Sequence, residues 1–199
     1  MNESALRLFI GVEVSIDCAN LLRKVAADLG ETISAASWVA PSRYHVTLKY
    51  LGWTAPEVVF AIRDRVAPLL AGRREFRFVV RGLGAFPSAE KARVLWAGIH
   101  ESGALGEIAS ELDEELESLG FAREKRPFAP HVTLARLREV ADLTPAVVGS
   151  EQEYSTCRVQ SVCLYESTVN SDGSGYPVKV RWELKPAKRQ RSDLEQRDT

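Results

Sequence analysis

The tetrapeptide HVTL occurs twice in this chain, at residues 45–48 within YHVTLKYLG (44–52) and at 131–134 within PHVTLARLR (130–138). The chain has three histidines, and two of them, His45 and His131, open these phrases 86 positions apart. Side chains alternate between the faces of an extended strand. The pattern therefore predicts that His45 and Thr47 project together while Val46 and Leu48 enter a core. His131 and Thr133 stand in the same relation to Val132 and Leu134. Each strand then offers an imidazole beside a hydroxyl, backed by two apolar anchors.

The segments around each phrase run in a similar order. LRLFIGVEV (6–14) reads as a buried strand. Residues 15–30 read as a helix with Cys18, Leu21, Leu22, Val25 and Leu29 on its apolar side and Gly30 as its stop. A turn around Pro41 leads into the first HVTL strand. A second helix is expected from TAPE (54–57), with Thr54 as cap, Pro56 in the first turn and Glu57 closing a capping box. Its buried face would be Val59, Ile62, Val66 and Leu69.

In the second half RVLWAGIH (93–100) reads as a strand, and 102–119 as a helix with Leu105, Ile108, Leu112, Leu116 and Leu119 on one face. Gly120 ends it, and RPFAPHVTLARL (126–137) brings a turn and the second HVTL strand. CRVQSVCLYESTV (157–169) and YPVKVRWELK (176–185) are expected to be two more strands joined by the turn NSDGSG (170–175). Sliding the chain by 86 residues also lays Pro41 on Pro127, Arg7 on Arg93 and LFIGV on VLWAG. We expect one bilobal domain over residues 1–186, made of two half-repeats about a pseudo-twofold axis that brings the histidines face to face. Residues 187–199 lack apolar periodicity and read as a disordered charged tail.

Composition narrows the function. A formal net charge of −1 argues against a protein that coats nucleic acid through a general basic surface, though it permits a local basic pocket. The start of the chain lacks a basic n-region and a small-residue cleavage site, and no run approaches the roughly 20 apolar residues of a membrane span. Cys18, Cys157 and Cys163 form no C-x-x-C pair and leave an odd count, which points to a reduced, cytoplasmic compartment. A zinc site would need three or four suitably spaced ligands, and these cysteines and histidines do not supply them. GLGAF (82–86) lacks the lysine of a phosphate-binding loop, and G-x-S-x-G is missing. His100 has no threonine two residues on and reads as structural. Trp38, Trp53, Trp96 and Trp182 read mostly as core, with Trp38 or Phe86 able to stack on a base.

Two imidazoles opposed across a pocket suit a reaction that needs a base on one side and an acid on the other. Threonine hydroxyls and nearby cations would stabilise an anion whose charge grows in the transition state. Together they describe in-line attack on a phosphodiester, although the residues alone do not say which histidine is the acid. Among the basic residues, Arg123, Lys125, Arg126 and Arg138 read as solvated surface, and Lys49 is expected on the face of His45. Arg136 is the expected phosphate ligand, because a guanidinium can fork onto two oxygens. Strict alternation would put Arg136 opposite His131, so the strand must end, twist or bulge there.

Paired H-x-T-x motifs half a chain apart resemble the 2H phosphoesterase superfamily. Within it, the chain is similar to the bacterial and archaeal RNA 2′,3′-cyclic phosphodiesterases, also called 2′-5′ RNA ligases. RLFIGVEV, HVTLKYLG, GLGAFPS, RVLWAGI, LGF, RPFAPHVTLAR and LYES carry the resemblance, in order, from Arg7 to about Ser167. It implies a bilobal α+β fold, two antiparallel sheets enclosing a cleft with helices outside. It also implies hydrolysis of an RNA or nucleotide 2′,3′-cyclic phosphate to a 2′-phosphomonoester, using no metal or organic cofactor; we expect a monomer. By the same resemblance His45 donates the proton to the leaving 3′ oxygen and His131 accepts one from water. Thr47, Thr133 and Arg136 would hold the non-bridging oxygens. Alternatives are 2′-5′ ligation, a different cyclic nucleotide or 2′-5′ oligoadenylate as substrate, and a module that binds RNA ends without turnover.

Overall fold

Leu8 through Val12 are all buried while Arg7 and Glu13 are exposed, so the first strand is covered on both faces along its middle: Leu8, Ile10 and Val12 belong to the main core, and Phe9 to a smaller cluster with Cys163 and Tyr165 on the other side. The computed structural model describes residues 5–34, 36–101, 103–168 and 176–187. The strands are β1 (Leu6–Glu13), β2 (Ala36–Trp38), β3 (His45–Thr54), β4 (Phe76–Phe86), β5 (Ala92–His100), β6 (His131–Ala141), β7 (Glu153–Val159), β8 (Ser161–Glu166) and β9 (Val178–Glu183). The helices are α1 (Ile16–Gly30), α2 (Val58–Leu70), α3 (Ala104–Glu117) and the short α4 (Thr144–Val147). The anticipated turn at 170–175 and the charged tail from residue 188 lie outside the described residues.

All ladders between these strands are antiparallel, in the order β7-β4-β5-β6-β3-β1-β8-β9, with β2 beside β6. The order reads alike from either end. Its midpoint is narrow: β3 and β6 pair at Val46↔Val132, two residues that the 86-residue shift superposes. The fold is α+β, two antiparallel arms diverging from that seam. The helices cross between them. α1 packs on β7 and β6, whereas α3 packs on β3 and α2, and α2 on β9. α1 and α3 thus cover mainly the arm that their preceding strand does not belong to, whereas α2 stays on its own arm. One continuous core joins both arms, from Leu8 and Val46 to Leu95 and Val132.

Several local expectations need correction. Leu21 is 40% exposed, and α1 buries only Cys18 and Leu22 fully. Gly30 belongs to the helix rather than ending it; a Cβ there would sit 3.7 Å from the Trp38 indole, so it marks a packing contact. α2 starts at Val58, because Thr54 completes β3 and donates its hydroxyl to the Gly52 carbonyl; Glu57 makes no side-chain cap. Leu70 takes the buried place expected of Leu69. Gly120 does end α3's final turn with φ +89°. The long segment from Cys157 is two strands broken at Gln160, and β4 has no counterpart in the sequence reading, which assigned those residues no element. Trp53 is 75% exposed rather than core.

The most consequential correction concerns alternation. Against β1, Ile10 pairs with Lys49 and Gly11 with Thr47, so Leu48 is an extra residue in β3. Against β5, Leu95 pairs with Ala135 and Trp96 with Thr133, so Leu134 is extra in β6 at the corresponding place. Each bulge reverses which face later residues occupy. Lys49 consequently leaves the histidine face; it is 5% exposed and joined to Asp113 of α3 and the Ala122 carbonyl. Removing one partner of so enclosed a pair strands the other charge. Lys49→Met should cost about 3 kcal/mol in chemical denaturation and leave the catalytic chemical step within about twofold; a stable variant with collapsed turnover would return Lys49 to the site.

Candidate active site

The burial pattern is the same in both HVTL strands: valine and leucine inside, histidine and threonine half-exposed. Pairing of Val46 with Val132 sets the two half-exposed rows beside each other at the seam. The turn at Pro41–Arg43 brings the Arg43 carbonyl 2.7 Å from His45 Nδ1, and the Ala129 carbonyl lies 2.7 Å from His131 Nδ1. A carbonyl can only accept, so each Nδ1 carries the hydrogen and each neutral ring keeps its lone pair on Nε2. His45 Nε2 is 3.1 Å from Thr47 Oγ1, so in the neutral state the threonine hydroxyl donates to it. Thr133 occupies the matching place beside His131.

Arg136 reaches this face through the Leu134 bulge. Burial in Leu134 and Ala135 is followed by an exposed Arg136, so the guanidinium joins the row His131, Thr133. Its charge is felt by both imidazoles. Burial lowers the pKa of His45 below 6.5, the Arg43 carbonyl opposes this, and the charges of His131 and Arg136 lower it further. For His131 burial again leads, the Ala129 carbonyl opposes it, and Arg136 adds to the lowering. All five expected site residues therefore line one face around the seam. His100 is exposed at the C-terminal end of β5, two residues past Gly98, which pairs with His131.

Aromatic walls, which the sequence reading did not assign, hold the two rings. Phe9 lies 4.6 Å from His45 between ring centroids, and Tyr176 stands edge-on at 5.3 Å. Phe9 also stacks on Tyr165. Arg43 sits over Tyr176, beside a cavity of about 170 Å³ lined by Glu13, Tyr44, His45 and Tyr165. His131 meets Phe86 edge-on at 5.1 Å and Trp96 at 5.9 Å. Trp96 lies flat across Gly84, where any Cβ would come within 2.1 Å of the indole; hence the glycine of GLGAF. The alternation of β1 and β5 could have located Phe9 and Trp96, since both pair with residues of the HVTL strands. Arg123 pairs with Glu117 and Arg126 with Glu124, in keeping with solvated surface. Among the described residues no three His, Cys, Asp or Glu side chains converge as metal ligands would.

A family model described as the 2′-5′ RNA ligase superfamily matches residues 8–170. The chain belongs to this family. An RNA 2′,3′-cyclic phosphodiesterase of Aeropyrum pernix is 36% identical over 155 residues, 75% of this chain and 85% of that one. One of Archaeoglobus fulgidus is 30% identical over 86% of this chain and 96% of its own. A relative of that same description from Geobacillus stearothermophilus is 32% identical over 81% of this chain, which spans 52% of its length. Among solved structures, a Thermus thermophilus protein superposes with a TM-score of 0.78 at 25% identity, over 92% of this chain and all of the other. Escherichia coli LigT complexed with 3′-AMP gives 0.69 at 22% identity over 90% and 98%, a likeness of fold. The two-armed 2H phosphoesterase architecture is thus shared by family and structure. No helix among the described residues is long and apolar enough to cross a membrane.

The electrostatics predict a titration. Both histidines should titrate below 6.5 in the free protein, and Arg136→Ala should move both inflections up, because a nearby positive charge is removed. Histidine ring NMR across pH 4–8 reads this; inflections unmoved by the substitution would place Arg136 away from the rings. In the window just below 6.5 the unfolded chain binds more protons than the folded one. Stability should therefore be complete above that window and fall as pH drops through it.

Proposed function

We propose that this chain hydrolyses the 2′,3′-cyclic phosphate of an RNA or nucleotide end to a 2′-phosphomonoester, with His45 as acid, His131 as base and no metal in the chemical step. The observation that carries the reading is the pairing of the two H-x-T rows at Val46↔Val132, each ring oriented by a backbone carbonyl. The curated relatives named for this activity support it. In the proposed step His131 Nε2 takes a proton from water as its oxygen bonds to phosphorus. The bond from phosphorus to O3′ breaks, and the His45 imidazolium gives its proton to O3′. Thr47, Thr133 and Arg136 hold the non-bridging oxygens as charge accumulates. Anion binding also raises both histidine pKa values, offsetting what burial and Arg136 lower.

The opposite labels would use the same two rings. Each imidazolium repels the other, so a proton on one ring holds the other neutral, and this coupling is symmetric between the two roles. With the substrate reversed, His131 would be the acid. The 2′-5′ joining that the family's description names would use the same groups backwards; a cleft open to water favours hydrolysis. The free, buried thiols of Cys18, Cys157 and Cys163 support a reducing, cytoplasmic setting, and we take the working unit to be a monomer. The helices crossing between arms support reading residues 1–186 as one domain built of two half-repeats.

His45→Ala and His131→Ala should each lower kcat/KM for a 2′,3′-cyclic mononucleotide by about 10²–10⁴ or more, with unchanged circular dichroism. A rate within about tenfold of the parent removes that residue from the mechanism. Activity should follow a bell in pH. Its kcat/KM limbs should lie acid of 6.5, where the free histidines titrate, and its kcat limbs higher, because bound phosphate raises both. A p-nitrophenyl phosphodiester, whose leaving group needs no proton, separates the roles: it should rescue the variant lacking the acid, His45→Ala on the proposed assignment and His131→Ala on the reversed one.

A further inference from the structure

The row of side chains that begins with His45 and Thr47 does not end at the Leu48 bulge. Pairing resumes with Phe9↔Tyr50, and a second irregularity comes next, at which Leu51 is passed over and Gly52 adopts φ +73°. Pairing then continues with Arg7↔Trp53. Directly opposed residues of an antiparallel pair share a face, so Tyr50, Trp53 and Arg7 lie on the face that carries Phe9, Thr47 and His45. The two irregularities keep Leu48 and Leu51 in the core at 6% and 9% exposure. They also turn outward Tyr50, which lies between them, and Trp53, just past the second: Tyr50 is 53% and Trp53 75% exposed. The guanidinium of Arg7 lies 5.5 Å over the Tyr50 ring, and its Nε donates to the Tyr50 hydroxyl. Among the described residues its other nitrogens meet no carboxylate.

Packing does not explain this strip, because the core is complete without it. Its composition is that of a single-strand platform: flat π faces for bases, with a cation for the backbone. It is also continuous with the catalytic row. From Gly11, opposite Thr47, to Arg7 is four residues of β1, about 13 Å at strand spacing. A cyclic phosphate occupies the 3′ end of an RNA, so the rest of the strand must leave the site on the 5′ side. Two aromatic rings and one arginine are far short of the roughly 800 Å² per partner of a stable protein interface.

We propose that Tyr50, Trp53 and Arg7 form a stacking subsite for the single-stranded nucleotides 5′ to the cyclic end, recognising them without sequence preference. The inference rests on the RNA-end reading of the site and extends it. It makes the chain prefer an oligonucleotide end over a mononucleotide, since only the former reaches the strip.

The test compares the parent with Trp53→Ala, Tyr50→Ala and Trp53→Phe on a 2′,3′-cyclic mononucleotide and on a short single-stranded oligoribonucleotide ending in the same group. The two alanine variants should raise KM for the oligonucleotide about 5- to 100-fold, the usual effect of losing one stacked base, with kcat held. Both should leave the mononucleotide kcat/KM within about twofold, and Trp53→Phe should restore most of the loss. Fluorescence anisotropy of a labelled oligoribonucleotide ending in a 2′-phosphate measures affinity without turnover, so it decides the subsite even if the parent hydrolyses nothing. A parent that does not bind this probe, alanine variants that bind it like the parent, or equal losses on both substrates would overturn the proposal. So would a parent that elutes as a dimer dispersed by Trp53→Ala, since the strip would then be an interface between copies.

Discussion

Val46 and Val132 form the pairing that joins β3 to β6, and that contact fixes where every reactive side chain stands. Both valines are fully buried, so the seam is anchored by the core beneath it. A one-residue slip of either strand would send its histidine and threonine into the core and its valine and leucine into the cleft, so the register is strongly specified. The crossed helices reinforce it. α1 holds the arm containing β7 while α3 holds β3, so the arms cannot separate without opening both helix contacts.

The bulges at Leu48 and Leu134 are the second constraint. They stand in matching positions, yet the residues beyond them differ. After Leu134 the chain presents Arg136 to the cleft, and after Leu48 it presents Tyr50. One arm thus presents a cation to the cleft, and the other an aromatic that carries Arg7. Two similar HVTL strands become an asymmetric site through the residue that follows the bulge in each. Burial sets the chemistry in the same way. The aromatic walls lower the pKa of both imidazoles, while the carbonyls of Arg43 and Ala129 orient them and resist that lowering. The balance leaves rings able to exchange protons when an anion arrives between them.

Much of this is legible in the sequence because it depends on local periodicity. The H-x-T rows arise from a period of two, and their mutual placement from the 86-residue repeat. Alternation alone demands a bulge before Arg136, although it does not locate one. The features that escape sequence reasoning depend on pairing between distant segments. Strict alternation puts Lys49 on the face of His45, because the extra residue at Leu48 is visible only against β1. Trp53 reads as a core residue because hydrophobicity alone cannot tell an inward indole from one turned out by Gly52. β4 hides behind its glycines, one of which exists to let Trp96 lie across it. The start of α2 is misplaced because Thr54, a good cap by type, is taken up by β3.

The central claim is that the paired rows at the seam open a cyclic phosphate by moving two protons. Phosphorus NMR of a 2′,3′-cyclic nucleotide incubated with the purified protein and EDTA tests it in one tube. The account predicts complete conversion to the 2′-monophosphate, with the chelator making no difference. A 3′-monophosphate would contradict the assignment of His45 to the leaving oxygen, and an unchanged cyclic phosphate in the presence of folded protein would contradict the hydrolytic reading itself.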